Sequence, residues 1–182
     1  MDPATRQVVR DATPDEPAAV AALLADVYAA FRPRLSDDAW PRYLGEIVDV
    51  RSRLVDSQLI VADHDGLLVG TVALYPEATR SSLEHWPEGW ASIRALAVRA
   101  DARGLGVGRS LAVECIRRAR LCGAKAIGLH TASFMTSATR LYRSLGFERR
   151  PDDDIEVGEM FIGRPLPPEF SWQAQAYWLD LA

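Results

Sequence analysis

The chain has 182 residues, 48% hydrophobic and 25% charged, with 21 Lys and Arg against 25 Asp and Glu for a formal net charge of −4. That size and balance predict one globular domain over residues 1–182 and exclude a chain disordered throughout. No apolar run approaches the roughly 18 residues of a membrane-spanning helix, and an acidic balance argues against a nucleic-acid groove.

In chain order the pattern alternates strand and helix, the signature of an α/β or α+β layer fold. Residues 7–12 predict a strand. Thr13-Pro14-Asp15-Glu16 has the form of a capping box: a hydroxyl cap, a proline in the first turn and a carboxylate three residues on. The helix it opens places Val20, Leu23, Leu24, Val27 and Phe31 on one stripe and is expected to end at Pro33. A second helix is expected over 36–53, with Trp40, Tyr43, Leu44, Ile47 and Val48 inward. Residues 57–62 and 68–75 predict a hairpin about Asp63-His64-Asp65-Gly66, because Asp-Gly between apolar runs is a strong turn signal. A loop over 76–89 leads to a strand over 91–98, a turn over 99–106 and a helix over 108–122 closed by Gly123. Then come a strand over 126–130, a helix over 136–145 closed by Gly146, a strand from Phe147 and a last strand over 159–163. Residues 165–182 form an apolar tail with Phe170, Trp172, Tyr177, Trp178 and Leu179, expected to cover the chain's own core or a partner subunit.

Residues 1–6 carry no apolar core of an export signal. Cys115 and Cys122 form no CxxC; seven residues apart on a predicted helix, they read as small apolar core residues, with no metal site implied. Both features point to a reducing, cytoplasmic setting.

The stretch from Ile93 to Leu111 carries the chemistry. A strand enters a glycine-rich turn, Arg103-Gly104-Leu105-Gly106-Val107-Gly108, and the turn opens a helix through Arg109 and Ser110. Glycines let backbone approach a ligand closely, and N–H groups at a helix N-terminus favour phosphate or pyrophosphate. Arg103 and Arg109 add positive charge. A Walker loop fails for want of Gly-Lys-Ser/Thr, and a dinucleotide fingerprint fails because Arg109 stands at its third glycine.

Arg103-x-x-Gly106-x-Gly108 after Leu96-Ala97-Val98 resembles the most diagnostic motif of the GNAT superfamily of acyl-CoA-dependent N-acetyltransferases. Ala138-Thr139-Arg140-Leu141-Tyr142-Arg143-Ser144-Leu145-Gly146-Phe147 resembles a second block of that family, in family order; together the two cover residues 91–150. The resemblance implies a GNAT fold, a mixed, mostly antiparallel central sheet flanked by helices on both faces. It implies acetyl transfer from acetyl-CoA to a primary amine by direct attack. Leu96, Ala97 and Val98 would run beside the pantetheine arm, and the Leu96 N–H would serve as oxyanion donor. N–H groups from Arg103, Gly104, Leu105, Gly106, Val107, Gly108, Arg109 and Ser110 would hold the pyrophosphate, with Ala138 and Tyr142 also at the cofactor. Tyr142 would be the general acid for the departing thiolate.

Two positions depart from the family pattern. Ser92 stands where Glu is often the base, and Met135 where Asn often touches the pantetheine arm. The base is therefore open between His130, at the end of a strand beside the cleft, and a water relay. Glu84, His85 and Glu88, on the loop before the cofactor strand, read as a solvated loop, with binding or deprotonating the amine as the alternative; Asp152-Asp153-Asp154 reads as a solvated turn, with a cation-attracting rim as the alternative. The resemblance places the acceptor side near Tyr28, Phe31, Arg34, Asp37, Asp38 and Trp40. It implies a small-molecule or peptide amine as partner, with no nucleic acid or membrane, and makes a homodimer one candidate assembly. The alternative of a different class is a non-catalytic acyl-CoA-binding module.

Overall fold

A computed structural model describes residues 7–81 and 83–182; residues 1–6, read above as lacking an export signal, lie outside the described residues. The chain runs β1 (Gln7–Asp11), α1 (Pro17–Tyr28), a 3-10 turn (Ala29–Arg34), α2 (Ala39–Val48), α3 (Val50–Arg53), β2 (Gln58–His64), β3 (Leu67–Tyr75), β4 (Trp90–Val98), α4 (Val107–Leu121), β5 (Ala126–Ala132), α5 (Thr136–Ser144), β6 (Glu148–Arg149), β7 (Ile155–Glu156), α6 (Val157–Ile162) and β8 (Gln173–Asp180). The strands form one sheet in the order β1-β2-β3-β4-β5-β8-β6, with β7 also paired to β8. Among the described residues only the β4–β5 pair is parallel, joined by the crossover helix α4.

Strand periodicity distributes the core over both faces. Ile60 and Ala62 of β2 join a cluster with Val107, Leu111 and Cys115 of α4. Leu59 and Val61 of the same strand join Val20, Leu24, Tyr43 and Ile47 of α1 and α2 on the other face. Among the described residues no helix is long and apolar enough to cross a membrane.

Several local expectations shift. The first helix opens at Pro17, not Pro14: Glu16 accepts from the Thr13 N–H at 2.7 Å, but the Thr13 hydroxyl donates to Asp15 rather than to the helix. Pro33 does not end α1; it lies inside the 3-10 turn, which needs fewer of the hydrogen bonds that proline removes. The helix expected over 36–53 breaks at Asp49, whose ψ of 68° leaves the helical region and whose side chain accepts from the Ser52 N–H to start α3. Tyr43 and Ile47 are buried as expected, whereas Trp40, Leu44 and Val48 are only half-buried.

The strand expected over 159–163 is instead the later part of helix α6 and the Gly163 that ends it, the helix being begun by the Glu156 carboxylate accepting from the Glu159 N–H. The strand expected from Phe147 is only two residues long. Eight residues of the apolar tail form β8, a strand inside the sheet that pairs with β5 over seven positions. Cys115 is buried, but Cys122 caps the end of α4 and is exposed.

Candidate active site

The site begins where two strands part. β4 and β5 pair from Trp90 opposite Ala126 to Ile93 opposite Leu129, and the parallel ladder stops there. On its other edge β4 faces β3 with Arg94 opposite Ala73 and Ala97 opposite Thr71, so Ala95 and Leu96 together oppose Val72. Two residues against one is a β-bulge, which bends the strand. Ala95 adopts a positive φ of 51°, rare for a residue with a side chain. Bulge and split together open a cleft between Arg94–Val98 and His130–Ala132.

The larger part of the cleft is a groove of about 580 Å³. Leu96, Ala97 and Val98 line one wall, and Ala138 and Leu141 of α5 line the other. Arg103, Gly104, Gly106, Val107, Gly108 and Arg109 close one end. Gly106 is the N-cap of α4 with φ 82°, and no side-chain hydrogen bond caps that end. The first-turn N–H groups are thus left to whatever enters the groove. Arg109 Nη1 donates to Ser144 Oγ at 3.0 Å, tying this turn to α5. Leu105 is exposed, and neither it nor Ser110 lines the groove.

Tyr142 is 5% exposed and packs on Phe147, ring centroids 5.6 Å apart, in the core under α5. It lines neither cavity of the cleft. Burial pushes its phenol pKa well above the ordinary value, so it holds its proton.

A second, smaller cavity of about 90 Å³ adjoins the groove, and Tyr28 and Met135 line both. Its walls are aromatic, from Tyr28, Tyr43, Phe161 and Trp172; its polar groups include Glu84, Arg94 and His130. Arg94 and His130 are the first residues beyond the last paired position of β4 and β5. Glu84 comes in from the loop before β4 and stands between them: its Oε1 is 3.3 Å from His130 Nδ1 and 3.8 Å from Arg94 Nε. Its other oxygen accepts from Trp86 Nε1 at 2.8 Å. Arg94 also donates to Glu46 of α2 at 3.1 Å. His130 Nε2 is 2.9 Å from the Asp153 carbonyl, which can only accept, so Nε2 carries a hydrogen.

This geometry corrects the solvated reading of Glu84, whose side chain is only 6% exposed. His85 and Glu88 do stay exposed. Burial opposes charge on Glu84, but His130, Arg94 and Trp86 outweigh it and hold its pKa below the usual carboxylate value. Burial likewise opposes a charged His130, yet Glu84 and the Asp153 carbonyl raise its pKa. Ser92 is fully buried in the paired part of the sheet and faces neither cavity. Among the described residues no group of three or more His, Cys, Asp or Glu is placed to hold a metal ion.

A mostly antiparallel sheet split at one parallel pair, with a glycine turn opening α4 at the split, defines the acetyltransferase architecture that the motifs suggested. The chain belongs to the acetyltransferase (GNAT) family, whose family model matches residues 20–147. A mycothiol acetyltransferase of Cellulomonas flavigena is 28% identical over 154 residues, covering 75% of this chain and 44% of its own. An uncharacterized N-acetyltransferase of Schizosaccharomyces pombe is 31% identical over 109 residues, covering 60% and 57%. The chain thus spans between about a quarter and 57% of the length of the curated relatives it matches. Among solved structures, a GCN5-related N-acetyltransferase from Kribbella flavida aligns with a TM-score of 0.64 at 25% identity, covering 96% of this chain and 98% of its own. The Salmonella typhimurium protein yncA, solved with its cofactor acetyl-CoA, aligns with a TM-score of 0.67 at 19% identity, covering 98% and 95%.

Proposed function

We propose that residues 1–182 form one domain that transfers an acetyl group from acetyl-CoA to a primary amine by direct attack, with no covalent enzyme intermediate. The carrying observation is the continuity of one groove from the Leu96-Ala97-Val98 edge to the uncapped N-terminus of α4. An elongated thioester bearing a pyrophosphate suits that donor set: backbone along its arm, N–H groups and two arginines at its phosphates. The names of the curated relatives support acetyl transfer.

Acetyl-CoA supplies the acetyl group already activated as a thioester. The backbone of Leu96, Ala97 and Val98 aligns the arm, with Ala138 across the groove. The part of the turn that lines the groove, Arg103, Gly104, Gly106, Val107, Gly108 and Arg109, binds the pyrophosphate. The Leu96 N–H, outside the β3 and β5 ladders, donates to the reacting carbonyl oxygen. Tyr142, which keeps its proton in the core under α5, is the proposed donor to the departing sulfur. Placing two reactants in one cleft carries most of the rate.

The test is CoA thiol release from acetyl-CoA across a panel of small-molecule and peptide amines, with CoA binding followed by calorimetry and Tyr142→Phe alongside. We expect turnover on one amine class, reduced about 10- to 100-fold in Tyr142→Phe with CoA affinity kept. CoA binding with no thiol release from any amine would overturn the reading in favour of a binding module. Full activity and an unchanged pH profile in Tyr142→Phe would remove Tyr142 from its role.

A further inference from the structure

We infer that Glu84 and His130 act as a pair that takes the proton from the acceptor amine, and that the cavity they face receives a compact primary amine with an apolar body. The inference rests on the acetyl-transfer reading and adds to it the base that Ser92 does not provide.

Three observations carry it. First, the pair lies at the point where β4 and β5 separate, next to the Ala95–Leu96 bulge, so the small cavity meets the groove beside the Leu96 amide. Second, the tautomer is set from outside. The Asp153 carbonyl takes the Nε2 hydrogen, which leaves Nδ1 of neutral His130 as the proton-accepting nitrogen, turned to Glu84. That buried Nδ1 has no hydrogen-bond partner among the described residues. A lone pair facing a carboxylate oxygen at 3.3 Å is unfavourable; a proton there is favourable. Third, with His130 neutral the charged groups that line the cavity are Glu84 and Arg94, and Arg94 is also held by Glu46, which leaves the Glu84 carboxylate as the anionic group of the wall. An ammonium group neutralises that charge, and Tyr43, Phe161 and Trp172 offer its body an apolar wall.

The protons balance. The bound ammonium gives one proton to the pair, where it rests on Nδ1 opposite Glu84. The neutral nitrogen forms the new C–N bond as the C–S bond breaks. The sulfur leaves as CoA thiol with the Tyr142 proton, the second proton of the nitrogen restores the Tyr142 hydroxyl, and His130 returns the first to water. The groups facing His130 from its surroundings are Glu84 and Arg94, the latter held by Glu46; Asp154, paired with Arg149; Asp153, paired with Arg150; and the Trp86 ring at 4.8 Å. Glu84 is the charge in direct contact with Nδ1, and Trp86 Nε1 holds it there; both are positioning residues.

Two readouts on the full chain test this. The chain has three histidines, so NMR titration separates His130 from His64 and His85 without any acceptor. His130 is expected to titrate above the ordinary histidine value, and Glu84→Gln to lower its midpoint by about one pH unit. In the second readout, the amine of the panel that supports CoA release is followed by kcat/KM against pH. His130→Gln is expected to lose about 100-fold or more and to remove the acidic limb. Glu84→Gln is expected to move that limb to lower pH, and Trp86→Phe, which keeps a ring but deletes the donor to Glu84, to move it part of the way. An acidic limb identical in all four proteins overturns the inference while leaving acetyl transfer standing. No CoA release from any amine at any pH means that acetyl transfer itself has failed. In that case a His130 midpoint unmoved by Glu84→Gln overturns the pairing as well.

Discussion

A Cβ built on Gly128 would stand 2.7 Å from the Trp86 indole, so the ring occupies the place that any other residue of β5 would fill with its side chain. From that position Trp86 donates to Glu84 and packs on His130, two residues along the same strand. A glycine in the sheet thereby sets the burial of a carboxylate 44 positions away in sequence, through one aromatic ring.

Gly128→Ala should therefore cost more than a methyl group on a strand usually does. The ring cannot stay where it is, and overpacking of this kind costs typically 1–3 kcal/mol. For a chain of this length that corresponds to a melting temperature roughly 3–10 °C lower by scanning calorimetry. Gly45→Ala is the control: no atom lies within 4 Å of its Cβ, and in the interior of α2 it should be neutral or stabilising by up to about 1 kcal/mol.

Gly106 tests the groove in a different way. Its φ of 82° disfavours any side chain, although no atom lies within 4 Å of a Cβ there. Gly106→Ala should cost roughly 1–2 kcal/mol of backbone strain and turn the first N–H groups of α4 away from the groove. The expected result is about tenfold weaker CoA binding by calorimetry. Gly66→Ala, at φ 79° in the β2–β3 turn, should lose similar stability with CoA affinity unchanged.

Acid should loosen the two ends of the β1–α1 edge before it touches the core. Arg10 donates to both oxygens of Glu16, the leading cause that holds the Glu16 pKa down to about 2 from 4.5. Arg117 and Arg118 hold Glu114 of α4 at about 2 in the same way, and Arg118 also reaches Asp11 of β1. A carboxylate with a depressed folded pKa contributes stability that is complete above its unfolded value and is lost as pH falls toward the folded one. The share of these two carboxylates in the urea midpoint should thus be flat above pH about 5 and fall between roughly 4.5 and 2. Each cluster should account for on the order of 1 kcal/mol after solvent screening. Glu16→Gln should remove its share at pH 7 and flatten the acid slope.

The features legible in the sequence are those set by near neighbours. Asp65 and Gly66 both take positive φ and join β2 to β3 as a two-residue turn, as an Asp-Gly pair between apolar runs requires. The glycine turn and the strand before it lie where their pattern puts them. The Asp49 break was hidden because its apolar spacing continues through Val50, while the break depends on one side chain accepting from Ser52. Residues 159–163 look like a strand by composition, but the Glu156 cap turns all of them but Gly163 into a helix. Glu84 looked solvated because its burial depends on Trp86, Gly128 and His130, and only the folded sheet brings the latter two to the loop. The tail was legible as apolar cover but not as a strand, because its ladder partner, β5, lies more than forty residues earlier.

That last strand is where stability is most exposed to change. Tyr177 of β8 is 2% exposed, the largest of the fully buried side chains, and pairs with Leu129 of β5 on one edge and Arg149 of β6 on the other. The Ala176 N–H beside it donates to Asp154 at 2.8 Å, and the Ala176 carbonyl accepts from Arg149 at 2.9 Å. Tyr177→Ala should cost about 3–5 kcal/mol, the range for emptying a core aromatic site, read as a lower urea midpoint with an unchanged slope. Removing residues 173–182 should abolish the cooperative transition altogether, since β5 would keep a partner only along its first four residues, on β4. Leu121→Ala, at a residue 73% exposed, should stay within about 0.5 kcal/mol of the parent chain. A truncated chain that still melted cooperatively near the parent temperature would show that the core closes without β8.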